Sequence, residues 1–125
     1  MLKDDLYTLH RISKEENLTF VCEIGLHAGH SIFAGHFPGN PVLPGVCMVQ
    51  IIKELVAEIF GSSVMLRSAQ NIKFLKPVNP LLDSQLKIVL TFRNTEEQMF
   101  VNAQVTNDTV NFCSFRGVFS EDTKT

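Results

Sequence analysis

Hydrophobic and polar positions alternate over much of this chain, and where they do the period is two. Leu18, Phe20, Cys22 and Ile24 fall on one side, while Thr19, Val21 and Glu23 fall on the other. That is the pattern of a strand with one buried face. Residues 6–13 read as a shorter strand before it, and Lys14-Glu15-Glu16-Asn17 supplies a polar turn. The second half repeats the pattern. Leu86, Ile88, Leu90 and Phe92 alternate, as do Met99, Val101, Ala103 and Val105. Phe112, Ser114, Arg116 and Val118 alternate against Cys113, Phe115 and Phe119. Residues 64–76 form a further β segment ended by Pro77, and Asn94-Thr95-Glu96-Glu97 and Asn107-Asp108 read as turns. Connections this short make neighbouring strands antiparallel.

One stretch breaks the period. Val46 to Phe60 is apolar almost all round, has the length of a helix (about residues 45–60), and is stopped by Gly61. A helix of that kind is enclosed by other structure. Its main polar interruption is Gln50, Glu54 and Glu58, whose spacing of four makes one stripe. Before it, HAGHSIFAGHFPGNPVLPG (residues 27–45) is too rich in Gly, Pro and His to be one regular element. One helix cannot cover two faces of a flat six-stranded sheet. The pattern therefore predicts an α+β fold: a strongly curved antiparallel sheet of about six strands wrapped around one central helix.

Composition narrows the class. The 125 residues fit one domain spanning 1–125, and 45% hydrophobic with 19% charged residues excludes intrinsic disorder. A net charge of −2 argues against a general nucleic-acid binder. No apolar run approaches the ~18 residues that span a bilayer. Cys22, Cys47 and Cys113 form no CxxC and read as reduced small hydrophobes. The acids in MLKDDLYTLH sit where a signal peptide would be basic. Together these predict a cytoplasmic protein.

The loop carries the candidate chemistry. His36 sits in a segment stiffened by Pro38, Pro41 and Pro44, and Pro44-Gly45 opens the helix nine residues later. The first turn of a helix offers unpaired N–H groups and partial positive charge, and Gly45 has no side chain to block them. A base beside such donors can remove a proton α to a carbonyl while the donors stabilise the enolate-like oxygen.

GHFPGNPVLPGV (residues 35–46) resembles the signature of the β-hydroxyacyl-acyl-carrier-protein dehydratases of fatty-acid synthesis, which have the hot-dog fold. Lys73-Phe74-Leu75-Lys76-Pro77-Val78 resembles the family's KFRRPV-like strand motif. Pro80-Leu81-Leu82-Asp83 stands in place of its Pro-Gly-Asp turn. The resemblance runs from about Tyr7 to Phe119. It implies His36 as the base that takes the α-proton and the Gly45 N–H as the donor to the thioester carbonyl. It also implies a Val42 carbonyl that fixes the imidazole tautomer. Phe33, Phe37, Pro38, Gly39, Val42, Pro44 and Val46 are its implied substrate-binding residues, although core packing is the ordinary fate of any Phe.

The chain departs from the family at one telling position. Gln50 stands where the family has its catalytic Glu or Asp, and an amide is neither acid nor base near pH 7. The family's Glu-x-x-x-Gln reads here as Gln50-x-x-x-Glu54. Glu54 lies about 6 Å further along the helix and its side chain leans back over Gln50. Glu54 is therefore expected to supply the carboxylate, directly or through a water on Gln50; a solvated stripe is the plain alternative.

The remaining features read blandly. His27, His30 and His36 lack partner ligands at metal-binding spacing, so no metal is expected, and the implied reaction needs no cofactor. Cys47 near the helix start reads as packing rather than as a nucleophile. Arg67, Lys73, Lys76, Lys87 and Arg93, against Asp83 alone, would steer an acidic carrier if they shared a face. The resemblance implies a carrier protein or coenzyme A thioester as partner. It also implies a homodimer or higher even oligomer, or a heterodimer with another hot-dog chain, with the site formed between subunits. Three functions follow: a 3-hydroxyacyl-thioester dehydratase, a catalytically weak acyl-binding partner subunit, and a hot-dog thioesterase.

Overall fold

The computed structural model describes residues 1–34 and 39–122. Six strands form one antiparallel sheet: β1 (Tyr7–Lys14), β2 (Thr19–Leu26), β3 (Val64–Phe74), β4 (Gln85–Asn94), β5 (Met99–Thr106) and β6 (Asn111–Glu121). Their order across the sheet is β1-β2-β4-β5-β6-β3. Two helices interrupt the strands: α1 (Ser31–Ala34), a single turn inside the Gly/Pro loop, and α2 (Gly45–Phe60). No helix among the described residues is long and apolar enough to cross a membrane.

The predicted faces of β4 and β5 hold; in β6 Phe112 and Val118 of the opposite face are buried as well, and Leu18 lies outside β2 and is exposed. Leu86, Ile88, Leu90 and Phe92 of β4, Met99, Val101, Ala103 and Val105 of β5, and Cys113, Phe115 and Phe119 of β6 are all buried. Register places Leu90 opposite Ala103 and Ala103 opposite Phe115, so these residues line one continuous inner face. Met48, Ile51, Ile52, Leu55 and Val56 of α2 belong to the same core cluster. A buried helix thus fills the concave side of the sheet, as its all-round apolar pattern requires. The α2 C-terminus ends on Gly61, which adopts the left-handed conformation (φ +95°) and donates its N–H to the Ala57 carbonyl.

Strand β3 is different. It lies at an edge, is mostly exposed, and its pairing with β6 shifts register twice, between Leu66 and Ser68 and between Ala69 and Asn71. Such irregularities increase local twist.

The segment ahead of β1 is also structured. Leu6 N–H and Asp5 N–H donate to the Leu2 carbonyl, and Asp4, at φ +67°, donates its N–H to the Tyr7 carbonyl. This tight turn brings residues 2–7 against α2.

Candidate functional site

The site forms around the start of α2. Pro44 takes the N-cap position with extended geometry (φ −61°, ψ 144°) and offers no side-chain cap. Cys47 N–H and Met48 N–H turn back onto the Pro44 carbonyl. The Gly45 and Val46 N–H groups make no hydrogen bond to another described residue. Two amides of the first turn are therefore available where the helix field favours negative charge.

An open, apolar groove of about 460 Å³ lies against this turn. One wall is Val42 to Val46 with Met48, and the other is Phe74 to Val78. The walls are tied together where Leu43 N–H donates to the Val78 carbonyl at 2.9 Å. The floor residues Leu43 and Val78 are buried, while Val46, Phe74 and Leu75 are 77%, 56% and 55% exposed. The groove thus carries unsatisfied apolar surface. Lys76 is its one charged lining residue. A larger cavity of about 570 Å³ lies at the other end of α2, around Phe60 and Glu96-Glu97. It is about 24 Å of helix away and has no part in this site.

Glycine at position 45 makes room for the Phe74 ring. A Cβ there would stand 2.8 Å from Cζ of Phe74 and within 3.2 Å of both ring Cε atoms. Phe74 is half exposed, so its ring can swing away. Gly45→Ala is expected to change stability by less than about 1 kcal/mol, helix propensity offsetting the displaced ring. A chemical-denaturation midpoint should therefore barely move, although the groove beside the N–H is reshaped.

Two and a half turns along α2 stands an anion centre. Among the described residues Glu54 is the one charged residue that is buried, at 8% exposure, although it lies on the polar stripe. Its Oε2 accepts from Leu2 N–H at 2.7 Å and from Gln50 Nε2 at 2.8 Å. Its Oε1 accepts from Lys3 N–H and from the Tyr7 hydroxyl, both at 2.9 Å. Burial pushes this carboxyl up, but the hydrogen bonds from Leu2, Gln50, Tyr7 and Lys3 outweigh it and hold the group below its ordinary value. Burial, and then the bond and charge of Glu54, push the Tyr7 phenol far up, so it stays a donor. Next on the stripe, Glu58 is exposed and accepts from Lys3 Nζ at 2.7 Å.

The geometry orients Gln50. A carboxylate only accepts, so the Gln50 amide must present its NH₂ to Glu54 and turn its oxygen away. Gln50 and Glu54 are joined by a direct hydrogen bond. Glu54 itself faces inward, with two donors on each oxygen.

Sequence-derived candidates are placed as follows. Val42, Pro44, Gly45 and Val46 line the groove together. Gly39 is left-handed (φ +84°) with open space around it. Phe33 is 5% exposed in the core cluster and is not a groove residue, because α1 turns it inward. His36, Phe37 and Pro38 lie outside the described residues. His27 donates from Nδ1 to the Asp5 carbonyl and accepts from Thr8 Oγ1 at Nε2. His30 accepts the Ile32 N–H at Nδ1 and meets Asp5 Oδ2 with Nε2 at 3.1 Å. Both rings therefore fasten the loop to the N-terminal turn. Burial raises the Cys47 thiol, which argues against a thiolate there. The basic residues divide: Lys87 pairs with Asp108, Arg67 Nε donates to Ser120, and Arg93 lies 4.3 Å from the Phe100 ring centre. Missed from the sequence were Tyr7 and the backbone amides of Leu2 and Lys3, about fifty residues from the carboxylate they hold.

Comparisons with known proteins bear on the fold and the family. Residues 11–116 match the ApeI-like family model, described as ApeI dehydratase. A 3-hydroxyacyl-[acyl-carrier-protein] dehydratase FabZ from Wolbachia is 42% identical over 55 residues, which is 38% of this chain and 38% of that protein. A FabZ from Lactobacillus helveticus is 28% identical over 88 residues, covering 65% of this chain and 58% of that one. The chain thus matches less than two-thirds of the length of these curated relatives. Among solved structures, the dehydratase heterocomplex ApeI:P from Xenorhabdus doucetiae superposes with a TM-score of 0.76 at 16% identity, covering 91% of this chain and 97% of that one. A hypothetical thioesterase with coenzyme A from Streptococcus pneumoniae gives 0.67 at 16% identity, covering 93% and 85%. These neighbours share the curved sheet and central helix of the hot-dog fold. With the family model spanning most of its length, this chain belongs to the ApeI-like dehydratases, within the β-hydroxyacyl-acyl-carrier-protein dehydratase family.

Proposed function

We propose that this chain dehydrates 3-hydroxyacyl thioesters, borne on acyl carrier protein or coenzyme A, to trans-2-enoyl thioesters in fatty-acid or related lipid or polyene synthesis. The observation that carries the reading is an apolar groove opening on the unattached Gly45 N–H, with Gln50 held further along the same helix. The acyl chain lies in the groove and the thioester oxygen accepts from Gly45 N–H. His36 takes the C2 proton. Electrons from that C–H bond form the C2–C3 double bond as the C3–O bond breaks. Neither the Gln50 amide nor the fully accepted Glu54 carboxylate has an acidic proton to give. The imidazolium formed at His36 therefore returns its proton to the departing oxygen, which leaves as water, while the Gln50 oxygen orients the substrate hydroxyl.

The exposed edge of β3 suits continuation of the sheet into a second copy. The working unit is then a homodimer, with Lys76 at the groove available to an anionic carrier. Gln50 also favours a second reading, a partner subunit that holds acyl groups or pairs with an active hot-dog chain. The ApeI:P heterocomplex is a precedent for such pairing. Mass spectrometry of a carrier-linked 3-hydroxyacyl substrate tests both. Loss of water with the thioester intact supports the enzyme. Substrate retained but unconverted supports the partner subunit, and free acid would indicate a thioesterase.

A further inference from the structure

The turn at residues 2–7 touches both halves of the site. From one side it reaches α2: Leu2 N–H, Lys3 N–H and the Tyr7 hydroxyl donate to Glu54, and Lys3 Nζ reaches Glu58. From the other it holds the loop that leads toward His36. Asp5 engages His27 and His30, and His27 N–H donates to the Leu6 carbonyl at 2.8 Å. Tyr7 is the chain's single tyrosine, and it is fully buried. A buried hydroxyl needs a partner, and this one has Glu54.

We infer that Tyr7 is a positioning residue for Gln50, acting through Glu54. This rests on the proposed dehydratase reading for its kinetic consequence, but not for its structural one. With both carboxylate oxygens doubly engaged, Glu54 has one orientation open to it, and the Gln50 NH₂ must meet it there. The Gln50 oxygen is thereby presented in a fixed direction. Take away the Tyr7 hydroxyl and Oε1 keeps only the Lys3 amide. The carboxylate can then rotate, bind water and take a proton more readily. Once protonated it becomes a donor itself, and the Gln50 amide is free to flip its oxygen toward it. The charged and titratable groups around the centre are Lys3 and Asp4 on the turn, Glu58 on the helix and the Cys22 thiol on β2. None of them supplies the missing donor.

Tyr7→Phe preserves the ring and removes the one hydroxyl, so it tests this directly. Carboxyl-carbon NMR should find Glu54 of the native chain titrating below the ordinary carboxylate range, and higher in Tyr7→Phe. The Gln50 side-chain amide protons should exchange faster in the variant. Its kcat should fall about tenfold while KM for the thioester stays within twofold. The acid limb of its kcat profile should move to higher pH.

Two results would overturn the inference. One is a native Glu54 that titrates in the ordinary range, which needs no variant. The other is a Tyr7→Phe protein with Glu54 shifted but Gln50 exchange and kcat unchanged. If the native chain forms no enoyl product, the dehydratase reading fails on its own. The NMR arms still decide whether Tyr7 fixes Gln50.

Discussion

Glu54→Ala should cost this fold about 3 kcal/mol or more. Four donors converge on the carboxylate, and a buried donor left without a partner costs roughly 1–3 kcal/mol, softened where water can reach it. The Tyr7 hydroxyl is the worst placed, because its residue is fully buried. The effect is pH dependent, and its sign follows from the depressed carboxyl. The stabilisation is present above the unfolded carboxylate value of about 4.3 and is lost as pH falls through the lower folded value. Denaturation of native chain and variant across pH should therefore give a gap that is full at neutrality and closes in acid. A gap that stays constant through that window would mean Glu54 contributes by packing alone.

Gln50→Glu should have the largest effect on activity in the favourable direction. The new carboxyl would sit where Gln50 Nε2 now lies 2.8 Å from Glu54. Two carboxylates at that distance cannot both stay ionised, and Glu54, with three donors remaining, keeps its charge. The new group is then the protonated partner, with its pKa raised toward neutrality. That places a general acid beside the departing hydroxyl, a role typically worth about 10²–10⁴-fold. We expect kcat to rise at least tenfold, with a new alkaline limb in its pH profile. Adding Glu54→Gln should reverse part of the gain. The amide introduced by that second change would aim its own NH₂ at one of the donors that Glu54 now satisfies, so the pocket behind position 50 is built for an anion.

Much of this was legible in the chain itself, for reasons that differ by region. The strand faces of β4 and β5 could be read because one side of each is buried and the other solvated, so Leu86 to Phe92 and Met99 to Val105 alternate cleanly. Helix α2 could be read from its apolar surround. Glu54 could not be placed. Its spacing with Gln50 and Glu58 looks the same whether the stripe is wet or covered, and what covers it is a turn more than forty residues away. Tyr7 was hidden for the same reason: one hydroxyl within a strand pattern carries no mark of its partner. The inward face of Phe33 could not be read, because a four-residue turn, α1, carries too few positions for periodicity to fix it. In β3, register shifts at Leu66/Ser68 and Ala69/Asn71 break the alternation that reads a strand's faces.

The proposed dehydration can be tested without any variant. Purified chain is incubated with 3-hydroxyacyl thioesters of several lengths on acyl carrier protein, and the carrier-bound products are weighed by mass spectrometry. The account predicts loss of one water from the intact acyl-carrier thioester, with a preference among chain lengths set by the groove. Unchanged substrate, or carrier stripped of its acyl group, would contradict it.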